Sequence, residues 1–184
     1  MVLMVGVLAR RKAHDDLIRA APAILRAYPD AHIVIAGGLP EGSDEGYEEE
    51  LRQLCTDLDV RDRVHLAGRR EDIPQMLAAC DVFVLPSRRE GFPGAVLEAM
   101  ATGRPVVVTP PASAGVEDGH CGRIVPEDDP EAVAAAVVEL LGDPRSARRM
   151  GEAGRRHVLE HFSLEPMVRR YEEVYRQLLN RNEE

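Results

Sequence analysis

The sequence predicts a three-layer α/β/α domain around a mostly parallel six-stranded sheet, followed by two extra helices at its carboxyl end. Three observations carry that prediction. Strand-like and helix-like segments alternate along nearly the whole chain, several strand segments are unbroken Val/Ile/Leu runs, and no low-complexity linker or internal repeat divides the 184 residues. Alternation implies right-handed βαβ crossovers, and unbroken apolar runs belong to strands buried on both faces, as in a parallel sheet.

The elements follow in order. Val2–Leu8, in the opening "MVLMVGVL", lacks the basic flank and cleavage site of a signal peptide and reads as a first buried strand. A helix over His14–Tyr28 leads to the strand His32–Ala36. "GGLPEGSDEGYEEE" (Gly37–Glu50) is the loosest stretch and runs into a helix over Asp44–Leu58. Next come the strand Val64–Ala67, the helix Asp72–Cys80 and the strand Val82–Leu85. The helix Gly94–Thr102 starts just after Pro93, and the strands Pro105–Thr109 and Arg123–Val125 complete the sheet. Asp129-Pro130-Glu131 combines an acidic cap with a proline in the first turn and opens a helix over Pro130–Leu141.

Two more helices, Pro144–His161 and Ser163–Asn180, close the chain. In the last, Leu164, Met167, Val168, Tyr171, Val174, Tyr175, Leu178 and Leu179 recur at helical spacing and form one apolar stripe. A single domain over residues 1–184 is expected, with a core over 1–161 and an amphipathic helix over 162–184. Left exposed, that stripe would be a large sticky patch. It is therefore expected either to fold onto its own domain or to pair with a second chain as a homodimer, by swapping or otherwise.

Composition narrows the function classes. The hydrophobic fraction of 45% supports a full core, yet no apolar run approaches the ~20 residues that span a bilayer. A cytoplasmic setting is expected. Cys55, Cys80 and Cys121 are odd in number and widely spaced, so they read as reduced core residues rather than a disulfide frame or zinc site. The formal net charge of -9 argues against a nucleic-acid partner, which requires a basic face. An anionic small ligand remains compatible if the attraction is local.

In an open parallel sheet, ligands bind beyond the carboxyl ends of the strands. Basic residues and glycines collect there: "ARRKAHDD" after the first strand, "GGLPEG" after the second and "PSRREGFPG" after the fourth. Together they favour a phosphorylated ligand. Neither GxGxxG nor GxxxxGK[ST] occurs, which disfavours ordinary dinucleotide binding and P-loop chemistry. The sharper feature is a pair of carboxylates. Glu98 lies in an otherwise apolar helical run, where a charge needs a partner if it is buried. Glu90 lies in the loop before it. A carboxylate is acceptor-only, and the two together suit the paired hydroxyls of a sugar or ribose.

"DVFVLPSRREGFPGAVLEAMATGRPVVVT" resembles the signature of the retaining glycosyltransferases of family GT4, which have the GT-B fold. Its hallmark is two Glu separated by seven residues, in this sequence Glu90 and Glu98. "RVHLAGRREDIPQMLAACDVFVLPS", "VEDGHCGRIVPEDDPEAVAAAVVELLGD" and "RRHVLEHFSLEPMVRRYEEVYRQLL" are similar to the segments that precede and follow it in that family. The resemblance covers essentially the whole chain but only one half of such an enzyme. It implies the C-terminal, Rossmann-like domain that carries the nucleotide-sugar donor, with the N-terminal acceptor domain lacking a counterpart.

The resemblance assigns roles residue by residue. Glu98 partners the ribose hydroxyls and Glu90 touches the donor sugar, while Lys12 faces the donor diphosphate. The backbone at Gly91, Phe92 and Pro93 approaches the sugar and phosphates. Gly37 and Arg69, with Arg70, border the nucleotide. No metal and no cofactor are implied, the nucleotide-diphosphate sugar being the substrate. The sequence departs from the family at three places. Val7 stands where an Arg is usual, Ala13 where a Gly is usual, and "PPASAG" replaces a glycine-rich loop with a carboxylate. Arg10 or Arg11 is left to reach the phosphates. The implied activity is retaining transfer of a sugar to an acceptor. The alternative is a domain that binds nucleotides or nucleotide sugars without turnover. A zinc-peptidase reading of "HVLEH" (His157–His161) finds no convincing third ligand after it.

Overall fold

The computed structural model describes residues 1–39 and 46–181. Six parallel strands, β1 (Val2–Val5), β2 (Ile33–Ala36), β3 (Val64–Gly68), β4 (Val82–Leu85), β5 (Val106–Val108) and β6 (Arg123–Ile124), pair in the order β3-β2-β1-β4-β5-β6. Strand order reverses between β1 and β4. The helices are α1 (His14–Ala27), α2 (Gly46–Asp57), α3 (Ile73–Ala79), α4 (Gly94–Ala101), α5 (Pro130–Gly142), α6 (Pro144–His161) and α7 (Leu164–Arg181). α1 packs on α2 and α5, and α4 packs on α3 and α6, which gives the two helical layers around the sheet.

Burial explains why these segments take these forms. β1 and β4 lie in the middle of the sheet, and Val2, Leu3, Met4, Val82, Phe83, Val84 and Leu85 are wholly inaccessible to solvent. Helix α1 turns Leu17, Ile18, Ala21 and Ile24 inward at helical spacing. Asp129 caps α5 by accepting from the Ala132 amide at 2.8 Å, as its acidic-proline start predicts. Asp143 does the same for α6, at the Arg145 and Ser146 amides. All three cysteines are buried and free.

The predicted elements are all present, with shifted ends. β1 stops at Val5 rather than Leu8. Beyond it the Gly6 and Leu8 amides still bond Ala36 and Gly38, while β4 pairs only with Val2 and Leu3, so the chain has left the sheet on that side. The start predicted for α2 at Asp44 lies outside the described residues. The stripe on α7 does not fold onto its own domain. Tyr171, Val174, Tyr175, Leu178 and Leu179 are all more than half exposed, and α7 packs chiefly on the end of α6. Its direction is set at the α6–α7 corner, where the Phe162 ring stands 6.4 Å from Phe92 and beside Gly115. No helix among the described residues is long and apolar enough to cross a membrane.

Gly37 shows how tightly the sheet edge is built. A Cβ at this position would lie 1.8 Å from the Gly6 carbonyl oxygen, while one at Gly91 would meet no atom within 4 Å. Gly37→Ala should therefore cost about 3 kcal/mol or more, since the backbone must move to admit the methyl group. Gly91→Ala should leave stability within about 0.5 kcal/mol. Urea unfolding of the two variants measures the contrast, and equal midpoints would refute it.

Candidate functional site

The reversal of strand order brings two loops together at the carboxyl edge of the sheet. One follows β1 and contains a 3-10 turn over Arg10–Lys12, closed by Ala13 in the left-handed region at φ 55°. Ala13 thus holds the conformation that glycine adopts without strain, at a cost of roughly 1 kcal/mol. The other follows β4 and runs from Pro86 to Pro93, and its Arg88 amide donates to the Arg11 carbonyl at 2.8 Å.

Glu90 is the centre of the junction. Its side chain is only 5% exposed, and Oε1 accepts from Lys12 Nζ at 2.5 Å and from Ser87 Oγ at 2.7 Å. Arg11 Nη1 stands 3.7 Å from Oε2. The aliphatic stem of Lys12 lies over Gly6, with Cδ and Cε 3.6 Å from where a side chain would begin. Ser87 is itself fixed, because Thr109 Oγ1 donates to its carbonyl at 2.5 Å, and both residues are buried. A chain of polar contacts therefore runs from β5 through the β4 loop to the β1 loop.

The sequence-predicted residues divide into groups. Lys12, Arg11 and Glu90 meet directly. Gly91 and Phe92 are exposed beside them, Pro93 is buried at the start of α4, and Gly91 faces open space. Glu98 is exposed despite its apolar neighbours. Val96, Leu97, Ala99 and Met100 point into the core and Glu98 takes the outward position on α4. Its carboxylate has no hydrogen bond or ion pair among the described residues. Arg69 is exposed and likewise unpaired among the described residues, whereas Arg70 is bound by Asp72. Gly37 lies under the loop after β2, where its missing side chain is required by Gly6. Of the two cations left open to reach a phosphate, Arg10 is turned away. Its guanidinium bonds Glu50 at 2.7 and 2.8 Å and covers the Tyr47 ring at 4.8 Å. Arg11 is the one that faces Glu90.

Three polar residues at the junction escape a reading of spacing alone: Ser87, Thr109 and Arg88. Ser87 and Thr109 are hydroxyl residues at the carboxyl ends of apolar strands, a position that carries a signal once the strands are placed. Arg88 binds Asp15 in fork geometry at 3.0 and 3.2 Å, and Asp16 at 3.0 Å. Burial works to raise the Asp15 pKa, but the hydrogen bonds and charge of Arg88 outweigh it and leave it below the ordinary value. Asp16, more deeply placed and beside Asp15, is pushed up to about 6 by burial and by that neighbouring carboxylate. Its second oxygen has no partner among the described residues. Next to them, His14 is fully buried, and burial lowers its pKa to about 4, so the ring is neutral at pH 7.

The rings of His157 and His161 lie 4.7 Å apart on α6, tilted at 58°, with Glu117 3.8 Å from His157. Among the described residues no group of three His, Cys, Asp or Glu side chains is arranged to hold a metal ion.

A doubly wound parallel sheet with charged loops at its switch point and a long helix leaving the domain is one half of a GT-B fold. Residues 1–143 match the family described as glycosyl transferases group 1. The chain belongs to that family, as a C-terminal domain of the GT4, GT-B type. It is 37% identical over 173 residues to a GDP-mannose-dependent alpha-(1-6)-phosphatidylinositol monomannoside mannosyltransferase of Mycolicibacterium smegmatis, covering 88% of this chain and 44% of that protein. It is 34% identical over 186 residues to the D-inositol 3-phosphate glycosyltransferase of Corynebacterium urealyticum, covering 98% of this chain and 43% of the relative. Among solved structures, Anabaena HepE in complex with UDP and glucose superposes with a TM-score of 0.87 at 26% identity, over 95% of this chain and 47% of that one. The chain thus spans less than half the length of each.

The shift of Asp16 has a definite sign. A carboxyl whose folded pKa is raised binds its proton more tightly in the folded state, so its stabilising contribution is lost as pH climbs from about 4 through about 6. Asp16→Asn can keep the bond from Arg88 and removes the titration. The variant should gain on the parent by about 2–3 kcal/mol across that window and no further above it, at ~1.4 kcal/mol per pKa unit. Urea unfolding at half-unit pH steps tests this, and a pH-independent difference would refute it.

Proposed function

We propose that this domain binds the donor of a retaining glycosyltransferase, a nucleotide-diphosphate sugar, and presents it to an acceptor held by the other half of the enzyme. The single observation that carries this reading is the meeting of Lys12, Arg11 and Glu90 at the β1–β4 switch point, with the open carboxylate of Glu98 on the helix that follows.

Each group suits one part of such a ligand. Glu98 accepts from the ribose hydroxyls, which an unpaired carboxylate does without first breaking an internal contact. Lys12 and Arg11 face the diphosphate and stabilise the charge that grows on it as the sugar leaves. Arg11 supplies the second cation that Val7, 40% exposed and uncharged, does not. Glu90 sits at the sugar end, its position set by Lys12 and Ser87. The backbone of Gly91, Phe92 and Pro93 closes on the sugar and phosphates, and Arg69 with the Gly37 turn borders the base. No metal is needed for this set of contacts. The mycobacterial relative's name specifies GDP-mannose and the Anabaena structure holds UDP and glucose, so the base is left to measurement. Transfer itself requires the acceptor-binding half, which would also cover the apolar face of α7, so the domain alone binds without efficient turnover. The setting would be cytoplasmic, where nucleotide sugars are available.

Isothermal titration with UDP, GDP and ADP should find micromolar-range binding of at least one. Lys12→Met should weaken the diphosphate at least tenfold while sparing the nucleoside. Glu98→Gln should weaken both by about 10- to 100-fold, the equivalent of one charged hydrogen bond. Absence of binding by any of the three nucleotides would overturn the proposal.

A further inference from the structure

We propose that Arg88 is a positioning residue of the donor site, the clamp that holds the loop bearing Glu90 in register with the loop bearing Arg11 and Lys12. It rests, for its consequence on binding, on the reading that this site takes a nucleoside diphosphate.

A guanidinium has five N–H groups in a rigid fork. In Arg88 all are used, in five hydrogen bonds: Nη1 to Asp15 Oδ1 and the Arg10 carbonyl, Nη2 to Asp15 Oδ2 and Asp16 Oδ1, and Nε to Asp128 Oδ1. The partners come from the loop after β1, the first turn of α1 and the loop before α5, where Asp128 adopts a left-handed conformation at φ 54°. The backbone of Arg88 adds a bond to the Arg11 carbonyl at 2.8 Å. Three other segments of chain thus meet on this one side chain, two residues from Glu90.

The arrangement does two things for the site. It fixes the separation of Lys12 and Glu90, which lie on loops with no other element between them. It also engages Asp15, Asp16 and Asp128, carboxylates that would otherwise draw Lys12 and Arg11 away from an incoming diphosphate. Lysine would serve neither end, since a single ammonium lacks the fork and cannot reach the partners together.

Arg88→Ala is tested in two arms. Amide exchange in the unliganded chain should quicken at least tenfold at Lys12, Ala13 and residue 88, with the Phe83 amide in β4 unchanged. Unaltered exchange at those three amides would overturn the proposal. In titration, nucleoside diphosphate affinity should fall at least tenfold and nucleoside affinity stay within twofold. Millimolar guanidinium chloride, but not sodium chloride, should restore the loss, because Arg88 is 31% exposed and its place can be refilled. A retained diphosphate affinity, or a loss that guanidinium does not mend, would also overturn it. Should the alanine variant not fold, Arg88→Lys is read in both arms for the same changes. If the parent chain binds no nucleoside diphosphate, the functional reading falls and the exchange arm alone decides on Arg88.

Discussion

The site depends on an ion pair between residues 78 apart in sequence, Lys12 and Glu90. Neither loop could hold its own charge at that depth. Glu90 is nearly buried, and an isolated carboxylate there would cost several kcal/mol of lost hydration. It is tolerated because Lys12 and Ser87 both donate to it, and they can do so only because β1 and β4 are adjacent strands in the centre of the sheet. The strand order is what allows the charge to exist. The charge in turn fixes where an anion could be received, since Arg11 and Lys12 are drawn to one point rather than spread along the loop. A chain with a formal net charge of -9 can thus present a local positive face.

Much of this was legible in the sequence, for identifiable reasons. Strands buried on both faces leave unbroken apolar runs, so all six were placed, and an acidic cap with a proline marked the start of α5. Element ends were less legible because they depend on pairing. β1 outlasts its pairing with β4, which ends at Leu3, and stops at Val5, where its ladder with β2 ends, a fact about its neighbours rather than about Gly6 or Val7. Glu90 and Glu98 stood out as a carboxylate pair and the resemblance added Lys12, but their states are set by tertiary contacts. An apolar run around Glu98 reads as burial until the helix is rotated into place and the carboxylate emerges on the outer side. Arg10 and Arg11 are indistinguishable as letters, and only the neighbouring α2, through Glu50 and Tyr47, separates them. Arg88 was invisible for the same reason, since its partners are 72 and 73 residues before it and 40 after it.

The departures from the family pattern look different in three dimensions. Ala13 keeps the left-handed turn that a glycine would make, so the 3-10 turn that aims Lys12 survives the substitution at a modest cost in strain. Val7 removes a charge without disturbing its surroundings, being partly exposed and outside the core. Arg11, one position before Lys12 on the same turn, carries a charge to the same point by another route. The loop after β5 shapes the site differently. Its Gly115, at φ 80°, lies against the ring of Phe162, so this segment is held from the α6–α7 corner as well as from the sheet.

That corner links the apolar face of α7 to the candidate site. Phe92, on the loop beside Glu90, is 63% exposed and shares a shallow apolar groove with Leu97, Phe162, Met167, Tyr171 and Val174. The apolar face of α7 and the rim of the candidate site are therefore one continuous surface. Covering the first removes water from the second. Electrostatic contacts such as those of Lys12 and Arg11 strengthen steeply once water is excluded. A domain that leaves this surface bare can still recognise an anion by charge, but its contacts act in a solvated setting. Any body that covered α7 would therefore also lower the dielectric around Glu90, so that covering the helix and tightening the site would be a single event.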